Sequence, residues 1–214
     1  MAPTKWQKFE RGIVSTMPYY LEDSDNCFFA RDYASGKGFQ HSETNQLISN
    51  LKKSPKHRGA SHWHYKGAAI RRFAAELGAL IQNAKGAKIY IAPIPSSKRP
   101  DHPEYDDRLV QVTRLVATSS PNCLVTEPVV RSVDCDPCHL SVAKRPKPDQ
   151  VFETLRWNGE LADPSTPVLF VDDVITTGCT FKQCQRMIHL HNPGREVYGV
   201  FWARTVWDEL SEAG

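Results

Sequence analysis

The chain has 214 residues, 40% hydrophobic and 24% charged, with a formal net charge of +3. Such a length buries one sizeable core, and the composition is that of a globular protein rather than a disordered or fibrous one. The mildly basic balance argues against a concentrated nucleic-acid-binding face without excluding nucleic acid, and no apolar run approaches the roughly 20 residues that cross a bilayer.

Residues 1–11 contain no apolar stretch of the signal-peptide kind, so a cytoplasmic location is expected. The six cysteines (Cys27, Cys123, Cys135, Cys138, Cys179 and Cys184) are then expected to be reduced. Residues 1–66 are irregular and rich in aromatic and polar groups, and read as a small N-terminal hood. Within them "ETNQLISNLKK" is a short helix candidate, with Leu47, Ile48 and Leu51 at helical spacing.

A core spanning residues 67–206 follows. "GAAIRRFAAELGALIQN" is an amphipathic helix with Ile70, Phe73, Ala74, Leu77, Leu80 and Ile81 on one face. "KIYIAPIP" is a strand that stops at Pro93 and Pro95. The next helix is expected to be capped by Asp101 or His102, with Pro103 in its first turn and Leu109, Val112, Leu115 and Val116 as its stripe. "CLVTEPVV" reads as a strand interrupted at Pro128. Residues 131–151 are polar and Pro-bearing, and a loop of that length is usually functional or mobile. "TPVLFV" is nearly all apolar, as at the centre of a parallel sheet. A helix from near Thr180 to "HNPG" and a strand "REVYGVFWAR" complete the core, leaving 207–214 as a tail. The alternation predicts an α/β fold with a mostly parallel central sheet flanked by helices. Ligands in such sheets bind beyond the carboxyl ends of the strands, where the loops 93–99 and 172–180 both fall.

The stretch "VLFVDDVITTGCT" (168–180) carries the clearest chemistry. Small residues after a strand fold tightly and aim several N–H groups at one point, and the following helix adds its positive dipole end. Asp172 and Asp173 suit ribose hydroxyls or a nearby Mg²⁺, so the stretch fits a sugar phosphate. It lacks the Gly-Lys-Ser/Thr ending of a Walker loop and the three spaced glycines of a dinucleotide fingerprint. The plainer alternative is a strand that ends in two acids capping a helix.

The same stretch resembles the phosphoribosyl-pyrophosphate (PRPP) motif of the type I phosphoribosyltransferases. The resemblance implies that Asp172 and Asp173 bind the ribose hydroxyls, with Mg²⁺ held directly or indirectly. It implies that Thr176, Thr177, Gly178, Cys179 and Thr180 bind the 5′-phosphate. In "IAPIPSSKRP" it implies a pyrophosphate loop at Pro95, Ser96, Ser97, Lys98 and Arg99, with Lys98 and Arg99 joining the two acids as catalytic groups. A surface loop with two incidental basic residues is the plainer reading there. The chain is most similar to the ComF-like branch, through Tyr33, "LISNLKK", "PIPSSKRP", Arg131, Arg145 and Phe152. It lacks that branch's N-terminal Cys-x-x-Cys pair and its Arg-Gly-Phe-Asn-Gln run.

The implied activity is Mg²⁺-dependent transfer of a phosphoribosyl group from PRPP to a nucleobase or related amine, releasing pyrophosphate, in a protein that forms homodimers in many relatives. The alternatives are a PRPP- or nucleotide-sensing regulator without turnover, and an accessory protein in DNA uptake or defence. Arg131, Lys144 and Arg145 are candidates for a flexible loop closing over the substrates, against a solvated charge run that includes Lys147. Cys135-x-x-Cys138 with His139, even with His62 and His64, is a weak zinc signal. Trp63 or Tyr65 could stack on a base or simply pack the hood. Cys179 is explained by its small size and is not expected to be a nucleophile.

Overall fold

The structure, a computed structural model, describes residues 4–10, 18–82, 87–135, 146–159 and 161–207. In chain order these form β1 (Gln7–Lys8), β2 (Asn26–Phe29), β3 (Asp32–Ala34), α1 (Glu43–Leu51), α2 (His64–Gln82), β4 (Ile89–Pro93) and α3 (Arg108–Ser119). There follow β5 (Cys123–Val125), β6 (Val129–Arg131), α4 (Pro148–Glu153), β7 (Leu155–Trp157), β8 (Val168–Ile175), α5 (Cys179–His191) and β9 (Val197–Val206).

The apolar run of β8 lies inside a sheet of order β1-β2-β9-β8-β4-β5, with β3 also paired to β9. Every pairing in that sheet is parallel except β1 with β2. The α/β fold with a mostly parallel sheet flanked by helices is therefore present. Successive strand residues point to opposite faces, and β8 shows why both must be covered. Val168 and Phe170 pack with Phe181, Cys184 and Ile188 on the α5 side. Leu169 and Val171 pack with Phe73, Leu77, Leu109, Val112 and Val116 on the side of α2 and α3. Trp202 of β9 is fully buried and stacks on Phe73 with centroids 4.8 Å apart.

The connections place the crevice. From β4 the chain crosses by α3 to β5 at one edge, and from β8 it crosses by α5 to β9 on the opposite side. Neighbouring strands β4 and β8 thus lead away in opposite directions over opposite faces. Their carboxyl ends diverge into a crevice, the usual binding position of an open parallel sheet.

Several expectations are corrected. Within residues 1–66, read as a small N-terminal hood, Asn26–Phe29 and Asp32–Ala34 are strands of the central sheet, and α2 begins at His64. "CLVTEPVV" is two strands, because Pro128 supplies no ladder donor and β6 leaves the sheet to pair antiparallel with β7. Helix α3 starts at Arg108, since 99–105 close as turns in which His102 N donates to Arg99 O and Tyr105 N to His102 O. The predicted flexible loop 131–151 has regular structure at both ends, with Arg131 closing β6 and Pro148 opening α4, a proline being well placed in a first turn. Among the described residues no helix is long and apolar enough to cross a membrane.

Gly199 of β9 sits where β2 and α5 meet. A Cβ there would lie 2.9 Å from Cys27 Sγ and from Phe181 Cε2, and 3.0 Å from Phe201 Cε2. Gly199→Ala is expected to overpack this point at a cost of about 1–3 kcal/mol. A lower denaturant midpoint with an unchanged far-UV spectrum is the expected result.

Candidate functional site

A cleft of about 590 Å³ occupies the β4–β8 crevice. Its floor is the end of β8 and the turn into α5, and one wall is the loop after β4. The opposite side is built by Lys52, Ser54 and Pro55 after α1 and by residues 104–108 before and at the start of α3.

The turn is fixed by backbone chemistry. Gly178 has φ 77°, a left-handed conformation that a side chain disfavours, and a Cβ there would meet Leu21 at 3.0 Å. That conformation lets α5 start at Cys179 directly after the strand. Tyr20 N donates to Thr177 O at 2.8 Å, and the Thr176 and Thr205 hydroxyls bond each other at 2.9 Å. No side chain caps α5 through Gly178. The Cys179 N–H reaches Thr177 Oγ1 at 3.3 Å, and the positive dipole end of α5 lies at the cleft, which suits an anion. Thr177, Cys179 and Thr180 line the same wall.

The two aspartates do different things. Asp173 is 2% exposed and faces the α1 and α3 side. Arg108 Nε and Nη2 donate to its Oδ2 at 2.8 and 2.7 Å, and Lys52 Nζ lies 3.1 Å from its Oδ1. Burial works to raise its pKa, but the two cations outweigh burial and hold it at about 2. Asp172 is half-buried on the cleft floor and accepts the Asp173 N–H at 2.8 Å. Burial and the adjacent Asp173 charge push its carboxyl up to about 7. Of this like-charged pair, Asp172 is the one that a ligand can meet.

The predicted pyrophosphate residues divide in the same way. Pro95, Ser96, Ser97 and Lys98 line the cleft. Arg99 does not, because its backbone N–H bonds Asp134 at 2.9 Å and its guanidinium turns to Asp101 at 3.4 Å and Asp134 at 4.0 Å. Arg131, expected on a flexible loop, is buried at the end of β6. It donates to Ser96 O at 2.9 Å, to Pro95 O at 3.5 Å and to the Thr154 hydroxyl. It is thus spent on holding the loop's carbonyls. Cys135 N adds a bond to Ser97 O at 2.9 Å.

Lys52, Lys66, Asp106 and Arg108 were not found from the sequence. Lys52 appears only as part of "LISNLKK" with no role given to it, and Lys66, Asp106 and Arg108 belong to no motif; Lys66 and Asp173 lie far in the chain from the Asp106–Arg108 pair that joins them. Of the other candidates Cys135 also lines the cleft, whereas Trp63 and Tyr65 do not. Trp63 faces Arg58 and Lys66, and Tyr65 lies beneath Lys53. Cys135 packs with Val151, Cys179 and Tyr20. Cys138, His139, Lys144 and Arg145 lie outside the described residues. Among the described residues no three His, Cys, Asp or Glu side chains are grouped to hold a metal ion.

No protein-family model matches the sequence, and no curated protein matches it. The fold is similar to solved phosphoribosyltransferase structures. Adenine phosphoribosyltransferase from Trypanosoma brucei, solved with AMP, pyrophosphate and ribose-5-phosphate, gives a TM-score of 0.45 at 12% identity over 90% of this chain and 86% of that one. The Leishmania tarentolae adenine enzyme gives 0.43 at 14% identity, covering 86% and 94%. Hypoxanthine phosphoribosyltransferase from Staphylococcus aureus gives 0.36 at 13% identity, covering 65% and 74%.

The state of Asp172 has a consequence for stability. Its folded pKa of about 7 lies above the unfolded value near ~3.9, so the folded chain binds the proton more tightly, and stability falls as pH rises between those values. Asn cannot ionise but can still accept the Asp173 N–H. Asp172→Asn is therefore expected to melt roughly 3–8 °C above the parent at pH 8, the gap closing as pH falls toward ~4. Differential scanning fluorimetry across that range reads it.

Proposed function

We propose that the protein is a phosphoribosyltransferase that uses PRPP and Mg²⁺, transfers the phosphoribosyl group to a nucleobase or related amine, and releases pyrophosphate. One observation carries the reading. The turn 176–180, the Asp172 carboxylate and the loop 95–98 line one cleft at the point where β4 and β8 diverge. A donor with phosphate, vicinal hydroxyls and diphosphate has matching groups there. The N–H groups opening α5 and the hydroxyls of Thr177 and Thr180 suit the 5′-phosphate. Asp172 accepts from the ribose hydroxyls, and Lys98 with the backbone of 96–98 faces the diphosphate.

The residues fit Mg²⁺ in a limited way. Mg²⁺ keeps much of its water and takes oxygens from phosphates, so one facing carboxylate suffices, and Asp172 is that carboxylate. When bound, the ion would neutralise charge building on the departing pyrophosphate. The chain's own part is to position the donor and stabilise charge at the ribose C1. A thiol nucleophile has no support: burial pushes Cys184 up to about 12, and Cys179 is buried in the turn. The pattern of Tyr33, "LISNLKK" and "PIPSSKRP" supports the ComF-like branch, and a cytoplasmic homodimer goes with it.

A second reading, a PRPP-binding regulator, is favoured by the diversion of Arg99 to Asp101 and Asp134, which leaves the diphosphate wall with fewer cations. Titration calorimetry with PRPP and Mg²⁺, followed by incubation with a panel of bases and amines read by mass spectrometry, separates the readings. The expected result is PRPP binding that Asp172→Asn weakens at least ~10-fold, with pyrophosphate released alongside one class of acceptor. Binding without release on any acceptor would favour the regulator. No binding of PRPP by the parent would overturn both.

A further inference from the structure

Beneath the cleft lies a chain of charges that nearly balances itself. Lys66, 3% exposed, has its Nζ 2.7 Å from Asp106 Oδ2 and donates to the carbonyls of Leu51 and Lys53 at 2.6 and 2.9 Å. Arg108 Nη1 reaches the same Asp106 oxygen at 2.8 Å, while its other nitrogens hold Asp173. Lys66 and Arg108 against Asp106 and Asp173 make two positive and two negative charges. Asp173 is thus neutralised without help. Lys52 is a fifth charge, surplus to those four and also near Asp172, with its side chain 37% exposed on the cleft wall.

The cations along the cleft make the surplus meaningful. Lys52, Lys98, Arg108 and Arg131 line it, against Glu104, Asp106, Glu127, Asp172 and Asp173. Arg108 is spent on Asp106 and Asp173, and Arg131 on the carbonyls of Pro95 and Ser96. Arg99 is turned away. An anion entering a cleft with this many carboxylates needs cations that can leave their present partners, and Lys52 can. Its stem is anchored where its backbone N–H caps α1 on Ile48 O, and Arg108 keeps Asp173 paired when the ammonium moves.

We propose that Lys52 is an anion-binding residue of this cleft, its ammonium contacting the diphosphate end of the donor beside Lys98. The proposal rests on the PRPP reading. Two cations from opposite walls, Lys52 after α1 and Lys98 after β4, would then grip the leaving group between them. A flexible ammonium suits a point-charge contact that forms on binding better than a rigid guanidinium fork.

The test titrates inorganic pyrophosphate, ribose 5-phosphate and PRPP, each with Mg²⁺, into the full chain as parent, Lys52→Met, Lys52→Gln and Lys52→Arg. Circular dichroism checks folding, and the Gln variant stands in if the Met variant does not fold. The expected result is a loss of ~10-fold or more for pyrophosphate and PRPP in the uncharged variants. Ribose 5-phosphate should change less than ~2-fold, and Lys52→Arg should restore most of the pyrophosphate affinity. Unchanged pyrophosphate affinity, or an equal loss for all three ligands, overturns the role of Lys52 while leaving the PRPP reading in place. A parent that binds neither PRPP nor ribose 5-phosphate overturns the PRPP reading, and the role of Lys52 with it.

Discussion

The buried carboxylate of Asp173 is the constraint on which the site depends. A charge removed from water costs several kcal/mol unless it is paired with good geometry. Asp173 is paired twice, and each partner is itself anchored. Arg108 bridges to Asp106, Asp106 to Lys66, and Lys66 closes the C-terminus of α1. One line of ion pairs thereby ties β8, α3, α2 and α1 together across the top of the sheet. Removing Asp106 would leave buried Lys66 without its carboxylate, at a cost of about 3–5 kcal/mol. These partners are therefore held to one relative placement, and the wall opposite the β4 loop inherits it. Burial pulls the Lys66 amine below its ordinary value, and its bond to Asp106 works against that.

The loops that face a ligand are held from behind in a comparable way. Two of the carbonyls after β4 are claimed by Arg131 and a third by the backbone of Cys135. With three carbonyls bonded back into the protein and the Lys98 and Arg99 N–H groups held by Ser96 Oγ and Asp134, the loop keeps one shape at the cleft wall. The turn after β8 reaches the same result by conformation, through the left-handed Gly178 and the bond from Tyr20. Both loops are shaped before any ligand arrives. Such preorganisation is what electrostatic catalysis requires, and it also serves tight binding without turnover.

What was legible in the sequence follows from how local each signal is. The unbroken apolar run of β8, the helical stripes of α2 and α3, and the turn 176–180 all show within a few adjacent residues, and each appears in the structure except that Leu115, read into the α3 stripe, is exposed. β2 and β3 have only four and three residues in a polar context, and become strands because β9 offers a long parallel edge to pair with. Tertiary pairing created them, so local pattern could not announce them. The same holds for the site. That Asp172, the turn and Lys98 line one cleft could be anticipated from two short stretches, 168–180 and 95–99. Arg108 had no such stretch and Lys52 had no role in its own, because their contacts come from Asp173, far away in the chain. Arg131 was visible as a charge, but its role depends on carbonyls 35 and 36 residues earlier.

The adjacency of Asp172 and Asp173 is then a working part of the arrangement. A strand sends neighbouring side chains to opposite faces, so two consecutive acids can serve two environments within one strand position of each other. Asp173, saturated with cations, stays ionised, and its charge is one reason the neighbouring carboxyl resists ionising. With Asp172 protonated, the inner charges sum to zero and Lys52 leaves a net positive floor, receptive to an anion. With Asp172 ionised, the floor is neutral overall but offers a strong acceptor for hydroxyls or a cation. A ligand that brings hydroxyls or a divalent cation stabilises the ionised form and draws the carboxyl's pKa down, so ligand binding and proton release are linked at this atom. The linkage needs both acids. A lone carboxylate at Asp172 would lose the like charge that raises its pKa, and a lone one at Asp173 would reach the cleft already held by Arg108 and Lys52.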